Sequence, residues 1–490
     1  MRSSGILLPV FSLPSPYGIG TLGQAAYDFV DFLSAAGQRY WQVLPIGPTS
    51  YGDSPYQSFS TFAGNPYFID LDFLKLKGLL TKEEIAAHTK DEPGAEIDYA
   101  FLFENRFTLL KMAYGRFHKP GDFEKFCEAQ KSWLFDYALF MAIKAENGHI
   151  SWQEWQKALK LREEKAIESA KKRLKNEIGF YVFLQYLFFT QWAALKKYAK
   201  KKGVKLIGDT PIYVAMDSAD TWTNPALFML DENLAPTFVA GCPPDYFSAT
   251  GQLWGNPLYA WSEHEKMGFA WWVTRIQAAF DFFDVLRIDH FRGFASFYAI
   301  PFGNETAEIG AWETGPRIKL FSAIKAKIKR PAIIAEDLGF LTEDVFELLS
   351  KTAFPGMRVI QFGFDPYKDS THLPHHYPKK AVVYTGTHDN TTVNGWMDAA
   401  SPKEKAFAKK YLALSKREGY GFGFLRGAWA SVADTAIAPM QDALELDETA
   451  RINTPSTLGG NWIWRLKGNE CTCALADKLK EITLRYGRNL

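Results

Sequence analysis

Several short apolar runs of this chain stop at an acid, and the pairing of residues at each stop limits the chemistry it could do. In Val285-Leu286-Arg287-Ile288-Asp289-His290, Arg287 and Asp289 stand two apart. On a strand such residues share a face, and a guanidinium beside a carboxylate favours its ionised form. That suits a nucleophile, and it equally suits a structural ion pair at a strand end; the segment alone leaves both open. Ala332-Ile333-Ile334-Ala335 leads into Glu336 and Asp337. A carboxyl at the end of an apolar strand sits where partial burial raises its pKa, as a general acid requires. Strand alternation aims one of the two inward, Glu336 being the candidate and Asp337 its competitor. Tyr384-Thr385-Gly386-Thr387-His388-Asp389 supplies Asp389 with His388 beside it, and Leu206-Ile207-Gly208 ends at Asp209. A metal on His388 and Asp389 is conceivable, but no second histidine stands at helical ligand spacing and no Asp-rich calcium loop occurs. His388 is therefore read as a hydrogen-bond donor to a neutral hydroxyl, with no metal and no cofactor expected. Retaining glycosidic chemistry uses a carboxylate nucleophile and a carboxylic acid about 5–5.5 Å apart, and a third acid can bind sugar hydroxyls.

Such acids act together only if the fold gathers the ends of their strands. Tyr40 to Ile46, Val204 to Ile207, Phe282 to Ile288, Ala332 to Ala335, Met357 to Phe364 and Ala381 to Tyr384 are nearly continuous in β-branched and aromatic residues. They read as strands buried on both faces of a parallel sheet. Helical signals lie between them, including candidate N-terminal caps at Thr81-Lys82-Glu83-Glu84 and Ser401-Pro402-Lys403-Glu404. The alternation predicts an α/β fold, a (β/α)8 TIM barrel whose catalytic groups come from the C-terminal strand ends. Residues from about 72 to 200 break the alternation and read as successive helices, a mainly helical subdomain inserted into one catalytic domain spanning 1–490. Trp155 to Asn176 is one such amphipathic helix, with Arg162, Glu163, Glu164 and Lys165 on a solvated face.

Lys and Arg number 56 against 55 Asp and Glu, a formal net charge of +1. That balance gives no electrostatic case for nucleic acid or an anionic membrane; a neutral substrate fits it better. Aromatic residues make up 16% of the chain. Most must pack a core, but some could line a cleft where sugar rings stack. Cys127, Cys242, Cys471 and Cys473 show no zinc spacing and read as thiols of a reducing compartment. The N-terminus lacks a signal-peptide core. Phe180 to Phe189, interrupted by Gln185, falls short of the roughly 20 apolar residues of a membrane span. The expected location is the cytoplasm, or the plastid stroma for a mature plastid protein.

The order and wording of these segments resemble the α-amylase superfamily, and more narrowly the 4-α-glucanotransferases of glycoside hydrolase family 77, called amylomaltase in bacteria and disproportionating enzyme in plastids. The resemblance runs the length of the chain. It includes Ser12-Leu13-Pro14-Ser15-Pro16-Tyr17-Gly18-Ile19-Gly20, Gly47-Pro48-Thr49-Ser50-Tyr51-Gly52-Asp53-Ser54-Pro55-Tyr56, Ala240-Gly241-Cys242-Pro243-Pro244-Asp245-Tyr246-Phe247 and Gly460-Asn461-Trp462-Ile463-Trp464-Arg465. It implies Asp289 as the nucleophile, Glu336 as the acid/base and Asp389 as the transition-state stabiliser, with His388, Arg287 and Asp209 as supporting sugar-binding residues. Tyr56, Asp245, Tyr246, Phe247, Gln252, Trp254 and Asn461 fall on segments that line the glucan cleft in similar enzymes, and Tyr51 on a second, remote glucan contact. For each aromatic, simple loop packing is the alternative. Implied partners are α-1,4-glucans and maltooligosaccharides as donor and acceptor, and glucose as acceptor or product. A plain α-glucan hydrolase and a catalytically silent glucan-binding protein are the competing readings. Cys242, Ala249 and Ser456 depart from the family pattern, Ser456 replacing the Gly expected after Asn453-Thr454-Pro455; these departures bear on loop conformation and product size.

Overall fold

A computed structural model describes residues 2–50, 52–90, 94, 96–244, 248–339 and 341–488. Twelve strands form among them. They are β1 (Ser3–Leu7), β2 (Tyr40–Gln42), β3 (Lys205–Thr210), β4 (Phe238–Cys242), β5 (Gln252–Pro257), β6 (Val285–Ile288), β7 (Ser296–Pro301), β8 (Ala311–Thr314), β9 (Ile333–Ala335), β10 (Gly356–Val359), β11 (Ala381–Tyr384) and β12 (Thr435–Pro439). Eight of these, β1, β2, β3, β6, β9, β10, β11 and β12, close in that order into an all-parallel barrel, β12 pairing back onto β1. This is the (β/α)8 barrel that the alternation predicts. Parallel strands covered on both faces can be apolar at every position, and here one set of side chains fills the lumen. Leu7, Ile207, Ile334, Met357, Val359, Val382, Tyr384 and Ile437 pack there as a cluster separate from the larger core around it. The remaining strands form an antiparallel sheet in the order β5-β4-β7-β8, drawn from the segments that follow β3 and β6.

Strand ends differ from the sequence reading in informative places. β3 starts at Lys205 and runs on through Gly208 and Asp209 to Thr210; glycine is needed at 208 because the Phe283 ring fills the space of a side chain, a Cβ there lying 2.0 Å from it. Phe282 belongs instead to the helix Ala270–Phe282, and β6 starts at Val285. Met357–Phe364 is half strand and half 3-10 turn: β10 stops at Val359, and Gln361 in the turn Ile360–Gly363 donates its amide to the Thr391 carbonyl. A continuous apolar run carries no periodicity that could have located that break.

Between β2 and β3, the described residues of 71–201 fold into helices and loops. Thr81 and Ser401 both close full capping boxes, with Glu84 and Glu404 respectively. The expected single helix over Trp155–Asn176 is broken into Lys157–Lys160 and Glu164–Arg173, with Lys175 opening the next helix. The break falls at Arg162, whose φ is 54°. Its guanidinium lies 4.1 Å over the Trp222 ring and 2.7 Å from Asp136, so it faces the protein rather than solvent. Phe180–Phe189 lies within the 27-residue helix Lys175–Lys201, which by length and composition could cross a membrane. Most of its apolar window is buried in the protein. Gln185 bonds both backbone groups of Gly64 and Gln191 accepts from Asp70 N, which makes it a core helix keyed to the β2 loop.

The closing seam between β1 and β12 is held by arginine. Arg488 is buried and donates to the carbonyls of Trp429, Ser3, Ala433, Ala428 and Ser431. Arg2 donates to those of Tyr486, Trp429 and Ser431. Leaving buried carbonyls unpartnered costs about 1–3 kcal/mol each. Arg488→Ala should therefore lower unfolding stability by about 3 kcal/mol or more and depress Tm, read by calorimetry against wild type. An unchanged Tm would show that the seam closes without it.

Candidate active site

Parallel register sets the acids side by side at the C-terminal end of the barrel. Asp209 of β3 pairs with Arg287 of β6, and Ile288 of β6 with Ala335 of β9. The ladder continues one step further, Asp289 N donating to Thr210 O at 3.0 Å and Glu336 N to Ile288 O at 3.0 Å. Asp289 and Glu336 thus leave neighbouring strands at the same level.

Arg287 is the centre of the site. Its Nη1 lies 2.6 Å from Asp209 Oδ2 and its Nη2 2.9 Å from Asp289 Oδ1. The side chains of Arg287 and Asp209 are 3% and 0% exposed, that of Asp289 31%. Burial alone would drive the guanidinium toward neutrality, but Asp209, Asp289 and Tyr56 hold it charged well above its ordinary value. Asp209 was expected to help bind sugar; in the structure it is sealed behind Arg287 and Tyr56 and serves to hold the guanidinium. Tyr56 donates its hydroxyl to Asp209 Oδ2 at 3.0 Å, and the same oxygen lies 2.9 Å from His388 Nε2. A phenol has one proton, so His388 must donate from Nε2, and its other close neighbour, Asp389 Oδ2 at 3.3 Å, is also an acceptor. The tautomer follows from the network. The Tyr56 and His388 rings stack 5.2 Å apart, with Trp462 tilted against both.

Glu336 is fastened by the backbone. Oε2 accepts from His290 N and Oε1 from Leu338 N, both at 2.7 Å. Burial pushes its carboxyl up to about 8, and the nearby Asp289 charge adds to that, against Arg287 and the two amides. Burial also raises Asp289, Arg287 opposing it, with Asp209 and Asp389 raising and His388 lowering. The two carboxyls cannot both ionise freely, and only Asp289 is in direct contact with the guanidinium. Of the two, Glu336 is the one better placed to hold a proton. The competing acid Asp337 points away, accepting from Met357 N at 2.6 Å and pairing with Arg358.

Asp389 follows β11, its Oδ1 accepting from Asn453 Nδ2 at 2.6 Å and its carbonyl from Arg451 Nη2 at 2.8 Å. Thr387 and Asn390 brace the turn around it. Trp254 bonds Gln252 at 3.1 Å and sets its ring edge-on to His290, 4.7 Å away, which places the β5 pair beside the Asp289–Glu336 corner. Asn461 spends its amide on the turn 454–461, accepting from Thr454 N and donating to Thr457. In that turn Ser456 has a φ of 63°, a conformation that favours glycine, so its substitution is a strained one. Tyr51, Asp245, Tyr246 and Phe247 lie outside the described residues. Sequence reasoning missed His290, Asn453, Arg451 and Trp462; of these only His290 and Trp462 carried a local signal, as neighbours of Asp289 and Asn461.

A buried guanidinium bridging Asp209 and Asp289, beside a second carboxyl raised by burial, at the end of a closed parallel barrel, is the arrangement of a glycoside-processing barrel enzyme. Residues 8–472 match the family described as 4-alpha-glucanotransferase. A 4-alpha-glucanotransferase of Clostridium butyricum is 52% identical over 98% of this chain and 99% of its own length. The chloroplastic/amyloplastic 4-alpha-glucanotransferase of Solanum tuberosum is 43% identical over 99% of this chain and 86% of its own. The structure of the amylomaltase from Streptococcus agalactiae in complex with acarbose superposes with a TM-score of 0.97 at 43% identity, covering all of both chains. The chain belongs to the 4-alpha-glucanotransferase family.

A raised carboxyl makes Glu336 a pH-dependent liability for folding. Its stabilising contribution is complete below its ordinary value of 4.5 and is lost as pH rises through about 8. Glutamine has no proton to lose. The Tm of Glu336→Gln relative to wild type should rise by a few degrees between pH 5 and pH 8.5; a constant difference across that range would mean Glu336 is not raised.

Proposed function

We propose that the enzyme exchanges α-1,4-glucosidic bonds between maltooligosaccharides or longer α-glucans by double displacement, with Asp289 as nucleophile, Glu336 as acid/base and Asp389 as stabiliser. Asp289 Oδ attacks the anomeric carbon, the bond to the leaving 4-oxygen breaks, and Glu336 gives that oxygen its proton. The resulting glycosyl ester is then opened by the 4-hydroxyl of an acceptor, whose proton returns to Glu336. Two inversions retain the α configuration. The observation that carries this reading is Arg287 bridging Asp209 and Asp289 beside a Glu336 carboxyl that burial raises. Asp389, held by Asn453 and adjoining the His388 Nε2–H donor, is suited to bind the hydroxyls of the sugar as positive charge develops at its ring.

Tyr56, Trp254, Gln252 and Asn461 are proposed to shape the cleft, joined by Tyr51, Asp245, Tyr246 and Phe247. The acarbose bound by the Streptococcus agalactiae amylomaltase supports an oligosaccharide occupant here. Glucose is a natural acceptor and product of such exchange. All four cysteines carry free thiols, which suits the reducing cytoplasm we propose as its location.

The two acids can be separated by donor chemistry. Asp289→Asn should lose several orders of magnitude in rate on every donor, because an amide cannot form the ester. Glu336→Gln should be comparably slow on maltotriose yet recover much of its first step on α-glucosyl fluoride, whose leaving group needs no proton. Equal losses of Glu336→Gln on both donors would remove it from the acid role.

Transfer and hydrolysis differ only in what opens the ester. An acceptor sugar held in place competes with water through an effective molarity that can reach about 10⁵–10⁸ M. Maltotriose alone should therefore give glucose and a ladder of longer maltooligosaccharides while total reducing ends stay nearly constant. Reducing ends that rise in step with substrate loss, with nothing longer than maltotriose, would identify a hydrolase.

A further inference from the structure

Outside the cleft, the segment that links β10 to β11 carries two adjacent histidines and an aspartate that serve no step described above. One nitrogen from each of His375 and His376 and a carboxylate oxygen of Asp369 all lie within 4.8 Å of one another, and all three residues are exposed. His376 Nε2 is 2.7 Å from Asp369 Oδ1, and the two imidazole centroids are 4.0 Å apart. The bland explanation is a surface His–Asp pair, worth about 0–1 kcal/mol. It accounts for His376 and Asp369 but not for His375, whose Nδ1 is held 2.7 Å from the hydroxyl of Tyr411.

We propose that Asp369, His375 and His376 form a surface site for a borderline transition-metal ion such as Zn²⁺, with solvent at the fourth position. Two imidazoles and a carboxylate are a donor set that Zn²⁺ accepts at about 2.0–2.2 Å. Tetrahedral coordination at that length spaces donors by about 3.4 Å. The three groups reach it by adjustments of about an ångström in exposed side chains. The contact between His375 Nδ1 and the Tyr411 hydroxyl is the kind of outer contact that orients a metal-binding imidazole, and it leaves Nε2 free to bind.

The base beneath the site is rigid. Val359 N donates to His372 Nδ1, the Tyr377 hydroxyl donates to His372 O, and Leu373 and Tyr377 are buried on either side of the pair. Tyr411 itself packs against Phe364 and Phe407. The histidines precede the N-terminal end of β11, whereas Asp389 follows its C-terminal end. The ion would therefore staple Asp369 to the 3-10 turn within the β10–β11 connection, away from the reaction, while His375 Nδ1 keeps its contact with Tyr411 at the end of the helix Pro402–Tyr411. Adjacent histidines diverge in a regular helix or strand, and only the 3-10 turn Pro374–His376 brings their rings together, so helical ligand spacing could not reveal them.

The test is titration of chelator-stripped protein with Zn²⁺ at neutral pH against a chromogenic chelator, alongside Tm with and without Zn²⁺. Wild type should bind one Zn²⁺ per chain and gain Tm from it, with no competition from Ca²⁺ or Mg²⁺, which prefer oxygen ligands. His375→Ala and His376→Ala should each weaken binding tenfold or more and abolish the Tm gain. Both should keep wild-type transfer on maltotriose, which also shows that they fold. Failure of wild type to bind, or a loss smaller than tenfold in His376→Ala, would overturn the proposal.

Discussion

The site depends on the two ion pairs of one buried cation. Arg287 sits among Asp209, Asp289 and the lumen, with its Nε against the sulfur of Met357. A guanidinium taken out of water is tolerable only when paired, and so are the carboxylates around it. Each member therefore acts on the others: Asp209 keeps the guanidinium oriented, the guanidinium opposes the rise that burial imposes on Asp289, and the Asp289 charge raises Glu336 further. Tyr56 extends the same chain to His388 and Asp389. The three acids belong to one electrostatic unit rather than to three independent loops, and the barrel register is what makes the unit possible.

That unit was partly legible in the residues. Buried parallel strands are written as unbroken apolar runs, so the positions at which polarity returns mark strand ends, and Asp209, Arg287, Glu336 and Asp389 were found that way. Two-residue spacing gave the shared face of Arg287 and Asp289, since alternation is a local rule. What lay beyond local rules was long-range pairing. Nothing near Asn453 or Arg451 says that their loop folds onto Asp389, and nothing near Asp209 says that Tyr56 will cover it. Arg162 was misplaced for the same reason, because Trp222 and Asp136 reach it from other parts of the chain. The resemblance to a family supplied what pattern could not, and Ser456, at a φ of 63°, shows the backbone keeping a glycine-favouring shape where the glycine is gone.

The near-neutral charge of the chain also acquires a local meaning. A cleft for uncharged sugars needs directional hydrogen bonds and ring faces rather than a long-range field. The charges that matter are few, buried and mutually compensating. Around them, the stacked rings of Tyr56 and His388, with Trp462 tilted against both, give the acids a low-dielectric wall that strengthens the interactions among them.

The arginine seam has a consequence for how the chain is made. β1 is synthesised before the other seven barrel strands, yet its partner β12 is the last of them, and the Arg488 guanidinium that grips Ser3 O comes later still. Until β12 has cleared the exit tunnel the barrel is an open sheet with two unpaired edges. Co-translational folding can assemble the β2–β11 arc and its helices, but ring closure must wait for β12 and the segment that carries Arg488. A nascent chain of this fold is thus a natural client for chaperones that shield strand edges.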